Sequence, residues 1–172
     1  MKPSAFNTKI FNLFDQNWAI VTAGTPDRYN SMTISWGSMG TIWGAPNHGR
    51  PIVTVYINPL RYTYEVLNES DRFTVSFFPK ANRPDLILMG TRTGRFGDTK
   101  KGTNLTPVFD NGFVYYRESI LTFECEKLYQ QTLDKKQIPA SIADAFYAPE
   151  EQAHRMYIGE VKKIIEKGEE DE

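Results

Sequence analysis

Short runs of β-branched and aromatic residues constrain the fold of this chain most strongly. Each run is bounded by Gly, Pro, Asn or Asp, which is typical of strands that end in turns. The runs are NWAIVTA (17–23), SMTISW (31–36), PIVTVYI (51–57), RFTVSFF (72–78) and SILTFECEKL (119–128). A chain with many short strands and few helices predicts a barrel or a sandwich.

Two of these runs also predict how they are buried. In 119–128, apolar residues at odd positions from Leu121 to Cys125 alternate with polar ones, which is typical of a half-buried strand. Run 51–57 is apolar on both faces, which predicts a central strand. The chain of 172 residues is long enough for one domain over residues 1–172, with a substantial core.

Helical signals are few. Short helices are predicted over 63–70 and 84–90; the second has Asn82 as a cap, Pro84 at an early position and Gly90 as a stop. Segment 156–165 fits a helix or a strand by its own pattern. Residues 166–172 are predicted to be a mobile acidic tail.

Composition excludes several classes of protein. The net charge of -1 gives no broad attraction to nucleic acids or membranes. No apolar stretch reaches the roughly 18 residues of a spanning helix, and the first residues lack a signal-peptide pattern. The single cysteine, Cys125, excludes an internal disulfide, so we expect a reducing, cytoplasmic setting.

Side chains that carry chemistry by themselves are scarce. The two histidines, His48 and His154, lack metal-ligand spacing, so no metal site is predicted. Common nucleophile, phosphate-loop and dinucleotide motifs are missing from the sequence. Cys125 lies on an apolar strand face, which favours an inert core thiol over a nucleophile. If the chain is an enzyme, we expect a cofactor to carry the chemistry.

A possible anion site lies in NPLRYTYEVL (58–67). Pro59 ends a strand, and Arg61 and Thr63 fall at the start of the next helix. Free backbone N–H groups, a guanidinium and a hydroxyl together suit a phosphate. From the spacing alone, an ordinary capped helix with a surface arginine is slightly favoured.

Two further stretches each allow either a purely structural or a ligand-binding interpretation. The basic loop 90–104 is either solvated or closes over an anionic ligand through Arg92, Arg95, Lys100 or Lys101. Stretch 30–44 has small hydroxyl residues, and Gly37 and Gly40 allow a planar ligand to approach its backbone. The alternative for 30–44 is a glycine-rich edge strand with a bulge.

A family resemblance connects these stretches. The motifs NSMTISWG (30–37), RYTYEVL (61–67), SDRFTVSFF (70–78), GTRTGR (90–95) and HRMYIGEV (154–161) occur in this order. Together they resemble the flavin reductase-like, FMN-binding split-barrel family, and most of all its flavoredoxin branch. The resemblance covers about residues 15 to 165.

The resemblance implies a mainly β, Greek-key split barrel with short helices, and a strand over 156–165. It implies a homodimer with FMN near the subunit interface, which would also bury surplus aromatic residues such as Trp18, Trp36, Trp43, Tyr115 and Tyr116. The expected function is an FMN-dependent oxidoreductase that passes electrons from NAD(P)H or a protein donor to an acceptor. The alternatives are an FMN storage or sensing module and a carrier reduced only by a protein.

The resemblance also implies the cofactor-binding residues. Residues 32–36 lie along the flavin ring, mainly through backbone groups, and residues 61–63 hold the phosphate. The full set is Asn30, Met32, Thr33, Ile34, Ser35, Trp36, Arg61, Tyr62, Thr63, Thr91, Thr93 and Arg95. Relatives commonly read GRDxDK in the loop, whereas this chain reads GRFGDTKK (94–101), so Asp98 and Lys100 do not transfer. Trp36 either shields the ring or belongs to the core, and His154 either lines the site or is structural.

Overall fold

The computed structural model describes residues 9–167, which form nine strands and four helices joined by short loops and single helical turns. In chain order the elements are α1 (Ile10–Asp15), β1 (Ala19–Thr25), β2 (Arg28–Ile34), β3 (Gly37–Ile42), β4 (Arg50–Ile57), α2 (Tyr62–Glu69), β5 (Arg72–Phe77), α3 (Arg83–Thr91), β6 (Pro107–Asp110), β7 (Phe113–Tyr116), β8 (Leu121–Thr132), α4 (Ala140–Phe146) and β9 (Arg155–Glu166). None of the helices in this described part is long and apolar enough to cross a bilayer.

Strand order shows that the main sheet closes on itself. Seven antiparallel strands follow the order β2-β1-β5-β8-β9-β4-β3, and β6 and β7 form a separate hairpin. β2 and β3 are the two edges of this sheet, yet only Ser35 and Trp36 separate them in sequence. Because so short a link cannot cross a flat seven-stranded sheet, the sheet curves until its two edges lie close together at this link, where β2 and β3 are not paired. The predicted split barrel is therefore confirmed.

The strong sequence patterns match the structure well. The predicted strands 17–23, 51–57, 72–78 and 119–128 correspond to β1, β4, β5 and β8, and segment 156–165 is β9. The predicted helices 63–70 and 84–90 correspond to α2 and α3. Run 51–57 is inside the sheet, but it lies beside the edge strand β3 and is not central.

Several boundaries differ from the sequence prediction. The predicted strand 31–36 ends at Ile34, because the chain turns there from one sheet edge to the other. Gly90 does not stop α3; a Cβ there would lie 3.3 Å from the Thr33 side chain, so glycine allows α3 to pack closely on β2. Glu166 belongs to β9 and not to the predicted tail, and residues 168–172 of that tail lie outside the described residues.

The inner face of the barrel is apolar. Alternate residues of its strands point inward, and Phe14 of α1 packs edge-on against Phe77. Val66 and Leu67 of α2 join the same core. The inward-facing strand residues include Ala19, Val21, Ala23, Met32, Ile34, Val53, Val55, Ile57, Phe73, Val75, Phe77, Leu121, Phe123, Cys125, Tyr157, Val161 and Ile164.

The outer face under the β6–β7 hairpin is polar but buried. Ser31 lies 2.8 Å from both the Thr22 hydroxyl and the Tyr116 hydroxyl. On β8, Thr122 is buried and Glu124 is only 3% exposed. The half-buried pattern predicted for 119–128 is therefore wrong at Thr122 and Glu124, which the hairpin covers, and it is correct at Glu126, which is exposed.

Candidate functional site

A cleft of about 310 Å³ brings together distant parts of the sequence. Its walls come from the end of β2, the end of β4, the start of α2 and the start of β9. The lining residues are Met32, Thr33, Ile34, Ser35, Trp36, Tyr56, Asn58, Arg61 and His154. The structure thus places the predicted residues 32–36 and Arg61 around one space.

The β2 segment contributes mainly its backbone to this cleft. The side chains of Met32 and Ile34 are buried in the barrel core. Thr33 turns the other way, and its hydroxyl donates to the Leu86 carbonyl of α3 at 2.5 Å. Because β2 is an edge strand paired only with β1, its other edge leaves N–H and C=O groups free to contact a ligand.

Arg61 is the cation of the cleft and precedes the first residue of α2. Its guanidinium donates to the carbonyls of Gly90 at 2.8 Å and Arg92 at 3.2 Å, at the end of α3. Burial lowers the pKa of Arg61 from its ordinary value, and the group stays charged at neutral pH. Two of its N–H donors hold α3, and the others are free to contact an anion.

Thr63 and Asn30 pair with each other inside the protein. The Thr63 side chain is 1% exposed, and its oxygen accepts a hydrogen bond from Asn30 Nδ2 at 2.7 Å. Tyr62 lies beside them and lines a second cleft next to Gly94. The Thr63 hydroxyl is therefore turned into the protein, and only its backbone N–H lies at the open start of α2.

The predicted loop residues lie nearby but outside the lining of the cleft. Thr91 bonds back to the Ile87 carbonyl at 3.1 Å, and Thr93 accepts the Arg95 backbone N–H at 3.3 Å. The Arg95 side chain pairs with Glu65 of α2. In segment 94–101, where the sequence differs from that of the relatives, Asp98 and Lys100 form an ion pair with each other at 3.2 Å.

The two glycines proposed to admit a planar ligand have different explanations. A Cβ at Gly37 would lie 2.2 Å from the Phe14 ring, so packing against α1 requires this glycine. Phe14 therefore fills the side of Gly37 that a side chain would occupy. At Gly40 a Cβ would meet nothing within 4 Å, so the space there is open.

An aromatic group borders the cleft. Trp36 is 40% exposed and is therefore not a core residue. Its ring lies 4.5 Å from the His154 ring and 5.5 Å from the Phe146 ring, measured between centroids. The Tyr147 ring also contacts the His154 ring, with centroids 5.6 Å apart. The sequence analysis did not identify Tyr56, Asn58 or Tyr147, because nothing in their local patterns connects them to the cleft.

A larger groove of about 1110 Å³ continues from the cleft. It shares Ser35, Trp36 and Tyr56 with the cleft and is otherwise lined mainly by α1 and the start of β3. Phe11 of α1 is 91% exposed at this groove. Among residues 9–167 no cluster of His, Cys, Asp and Glu is arranged to hold a metal ion.

Sequence comparison assigns the family. A model of the flavin reductase like domain matches residues 11–172. The chain belongs to this family. None of the curated proteins matches the chain.

Solved structures share the fold of this flavin reductase-like chain. Flavoredoxin from Methanosarcina acetivorans has 20% sequence identity and a TM-score of 0.65, over 95% of this chain and 77% of that one. An FMN-binding protein from Thermus thermophilus with bound p-hydroxybenzaldehyde has 21% identity and a TM-score of 0.65, over 87% and 71%. The flavin reductase of styrene monooxygenase from Pseudomonas putida S12 has 17% identity and a TM-score of 0.61, over 89% and 80%.

Proposed function

We propose that this chain is an FMN-binding oxidoreductase that passes electrons from NAD(P)H or a protein donor, through FMN, to an acceptor. The observation that carries the proposal is the cleft, which joins the free edge of β2 to the guanidinium of Arg61. The family and the names of its structural neighbours support a flavin as the ligand.

The donor set of the cleft fits FMN. The cofactor has a planar ring with a polar edge and a dianionic phosphate on a flexible chain. The edge of β2 offers backbone donors and acceptors to a ring, and Arg61 with the start of α2 offers positive charge to a phosphate. FMN supplies the electron-transfer chemistry when it is bound.

The residues of the chain would bind and orient the cofactor. Fixed backbone N–H groups along residues 32–36 would stabilise negative charge on a ring beside them without reorganising. Trp36 would cover part of the cleft and limit access of water. The other predicted contacts lie beyond the lining of the cleft, and Thr63 would contribute its backbone N–H because its hydroxyl pairs with Asn30. They are Asn30, Tyr62, Thr63, Thr91, Thr93 and Arg95.

We also propose a homodimer, with the groove along α1 and β3 as part of the interface. Two of the aromatic residues that we expected a dimer to bury are covered within the monomer. Tyr116 is buried, and the Arg83 guanidinium lies 3.9 Å from the centre of the Trp18 ring. Trp36 and Trp43 remain exposed, together with Phe11. A two-fold interface would cover such a patch on both subunits at once.

Absorbance and mass measurements test both proposals. Purified protein mixed with FMN is expected to retain it through gel filtration and to bleach on addition of NADH or NADPH. Retained FMN that bleaches only with dithionite would indicate a protein-reduced carrier, and FMN that stays oxidised in all turnover conditions would indicate a storage module. Failure to retain FMN contradicts the proposed function. A light-scattering mass near the 19.7 kDa of one chain contradicts the dimer.

A further inference from the structure

Tyr147 and His154 form a hydrogen-bonded pair beside the cleft. The Tyr147 hydroxyl lies 2.8 Å from Nδ1 of the His154 ring. The same hydroxyl oxygen accepts the backbone N–H of His154 at 3.3 Å. Tyr147 is buried, and the imidazole centroid lies 4.5 Å from the Trp36 ring centroid.

The distance to Nδ1 fits a proton on either ring nitrogen, and the bond from the backbone N–H favours a hydroxyl that donates to Nδ1. Since the phenolic oxygen already accepts the backbone N–H, its own proton is available to donate to Nδ1. A neutral imidazole that accepts at Nδ1 carries its proton on Nε2. Burial lowers the pKa of His154 from its ordinary value, which keeps the ring neutral at neutral pH.

Hydrogen bonds hold the two ends of the connection between β8 and β9, which contains Tyr147. The Lys135 ammonium donates to the carbonyls of Ala148, Pro149 and Glu151 at 3.2, 3.0 and 2.7 Å. The Leu133 N–H donates to the His154 carbonyl at 3.0 Å, immediately beyond the last paired residues of β8 and β9. These bonds hold both ends of the connection together and fix Tyr147 against His154.

We propose that Tyr147 is a positioning residue that holds His154 as a neutral donor, with Nε2–H presented to a ligand in the cleft. Nδ1 is occupied by Tyr147, so Nε2 is the polar group that the imidazole contributes to the lining. This inference rests on the proposed function, because it takes the ligand to be a planar ring with hydrogen-bond acceptors, namely the flavin of FMN.

The surroundings of His154 favour the neutral ring. The titratable groups that line the same cleft are Tyr56 from β4 and Arg61 at the start of α2. Arg155 follows His154 in the chain, and its guanidinium lies 5.9 Å from the Tyr64 ring centre. No carboxylate is among the described lining residues, so no anionic side chain there stabilises an imidazolium.

Nitrogen NMR of the imidazole tests the pair directly. The exposed His48 is replaced by glutamine, which leaves His154 as the only imidazole in the chain. We expect ¹⁵N shifts of a neutral ring with the proton on Nε2, and a titration midpoint below the ordinary value. In Tyr147→Phe the midpoint is expected to rise, because the donor that favours the neutral ring is lost. A proton found on Nδ1 in the wild-type pair overturns the proposal and needs no variant.

A matched variant separates positioning from a general loss of structure. Tyr129→Phe removes a hydroxyl from an exposed tyrosine of β8 and is expected to leave the His154 titration unchanged. Equal titrations for Tyr147→Phe and the wild type overturn the proposal. Equal shifts in both variants also overturn it, since they indicate an effect of folding.

Adding FMN to the same samples tests the ligand. We expect the Nε2 resonance to move on FMN binding and the affinity of Tyr147→Phe to fall about two- to tenfold, the value of one hydrogen bond. Bound FMN with an unmoved Nε2 resonance overturns the proposal. Failure of the wild type to bind FMN overturns the proposed function and the ligand named here, while the tautomer measured without FMN still decides the pairing.

Discussion

The two walls of the cleft are built in different ways. The first wall, formed by residues 32–36 and 58–61, uses a strand edge and a helix start that belong to the barrel. The second wall is His154, supported by the long connection between β8 and β9. The first wall is held by the β1–β2 ladder, and the second by a few side-chain bonds around Lys135 and Tyr147.

This difference predicts a difference in local stability. α4, in the connection, has no buried residue, whereas β2 and α2 both contribute to the barrel core. Segments with few buried apolar contacts open at lower free energy than core strands. The second wall is therefore the part of the cleft that is expected to move when a ligand enters.

The largest expected effect on FMN affinity is at Arg61, in the first wall. In Arg61→Ala, FMN affinity is expected to fall about 10- to 100-fold, because a charge-assisted hydrogen bond contributes roughly 1.5–3 kcal/mol. Riboflavin lacks the phosphate, so its affinity is expected to change little. Fluorescence titrations of both flavins measure the difference.

A control variant and one alternative outcome sharpen the Arg61 test. Arg95→Ala removes a nearby arginine that pairs with Glu65 and does not line the cleft, so it is expected to weaken FMN less. Arg61 also bonds the carbonyls of Gly90 and Arg92. Equal weakening of FMN and riboflavin would show that Arg61 supports the end of α3 and does not hold the phosphate.

Local patterns supplied the candidate residues of the first wall, and the family resemblance favoured the ligand-binding interpretation over the structural one. The motif containing Arg61 and the small residues around Thr33 carry their chemistry within short windows. The sequence was less informative about side-chain direction. The Thr63 hydroxyl turned inward to Asn30, and Gly37 was required by Phe14, because both partners come from distant segments.

The second wall could not be predicted from local patterns. The sequence around Lys135 is typical of an ordinary surface lysine. In the structure its ammonium donates hydrogen bonds to three backbone carbonyls that lie 13 to 16 residues further along the chain. The same limit explains why the strand pattern predicted a solvent-facing Glu124 on β8. The β6–β7 hairpin, from another part of the chain, covers this side chain. In each case a contact between distant segments decided the environment of a polar side chain.

Replacing Glu124, which lies outside both walls, tests whether FMN affinity follows the stability of the whole fold. Burial raises the pKa of Glu124 to about 7, with Asp110 raising it further and Lys163 opposing the shift. The unfolded carboxyl ionises at lower pH, so the free energy of unfolding falls as pH rises from about 4.5 to about 7. Glu124→Gln should remove this loss, which is on the order of 2 to 3 kcal/mol at pH 8.

Urea unfolding of the wild type and Glu124→Gln at pH 5 and pH 8 measures this effect. The free energy of unfolding of the wild type is expected to be lower at pH 8 than at pH 5, whereas that of the variant is expected to be nearly the same at both. Parallel curves for the two proteins would contradict a buried, protonated Glu124. FMN affinity is expected to be equal in both, because Glu124 lies under the β6–β7 hairpin and away from the cleft.

A smaller effect is expected from loosening the second wall. Lys135→Met keeps the length of the side chain but removes the donor to three carbonyls. Hydrogen-exchange protection over residues 140–151 is expected to fall about tenfold, with β2 unchanged. Lys136→Met, at the exposed neighbouring lysine, is the control and should leave protection as it is. Loss of protection in β2 as well would mean that the two walls are not independent.

The smallest expected effect on the cleft is at Cys125, on the inner face of β8. The thiol is buried, burial raises its pKa, and its nearest polar partner is the Phe123 carbonyl at 3.9 Å. Cys125→Ser should cost on the order of 1–2 kcal/mol of stability, because a hydroxyl without a close partner replaces an apolar group. Cys125→Ala should separate this polar cost from the cost of lost volume. FMN binding and bleaching by NAD(P)H are expected to persist in both variants, since neither touches a wall of the cleft. Loss of electron transfer with flavin still bound would show that the thiol takes part in the chemistry.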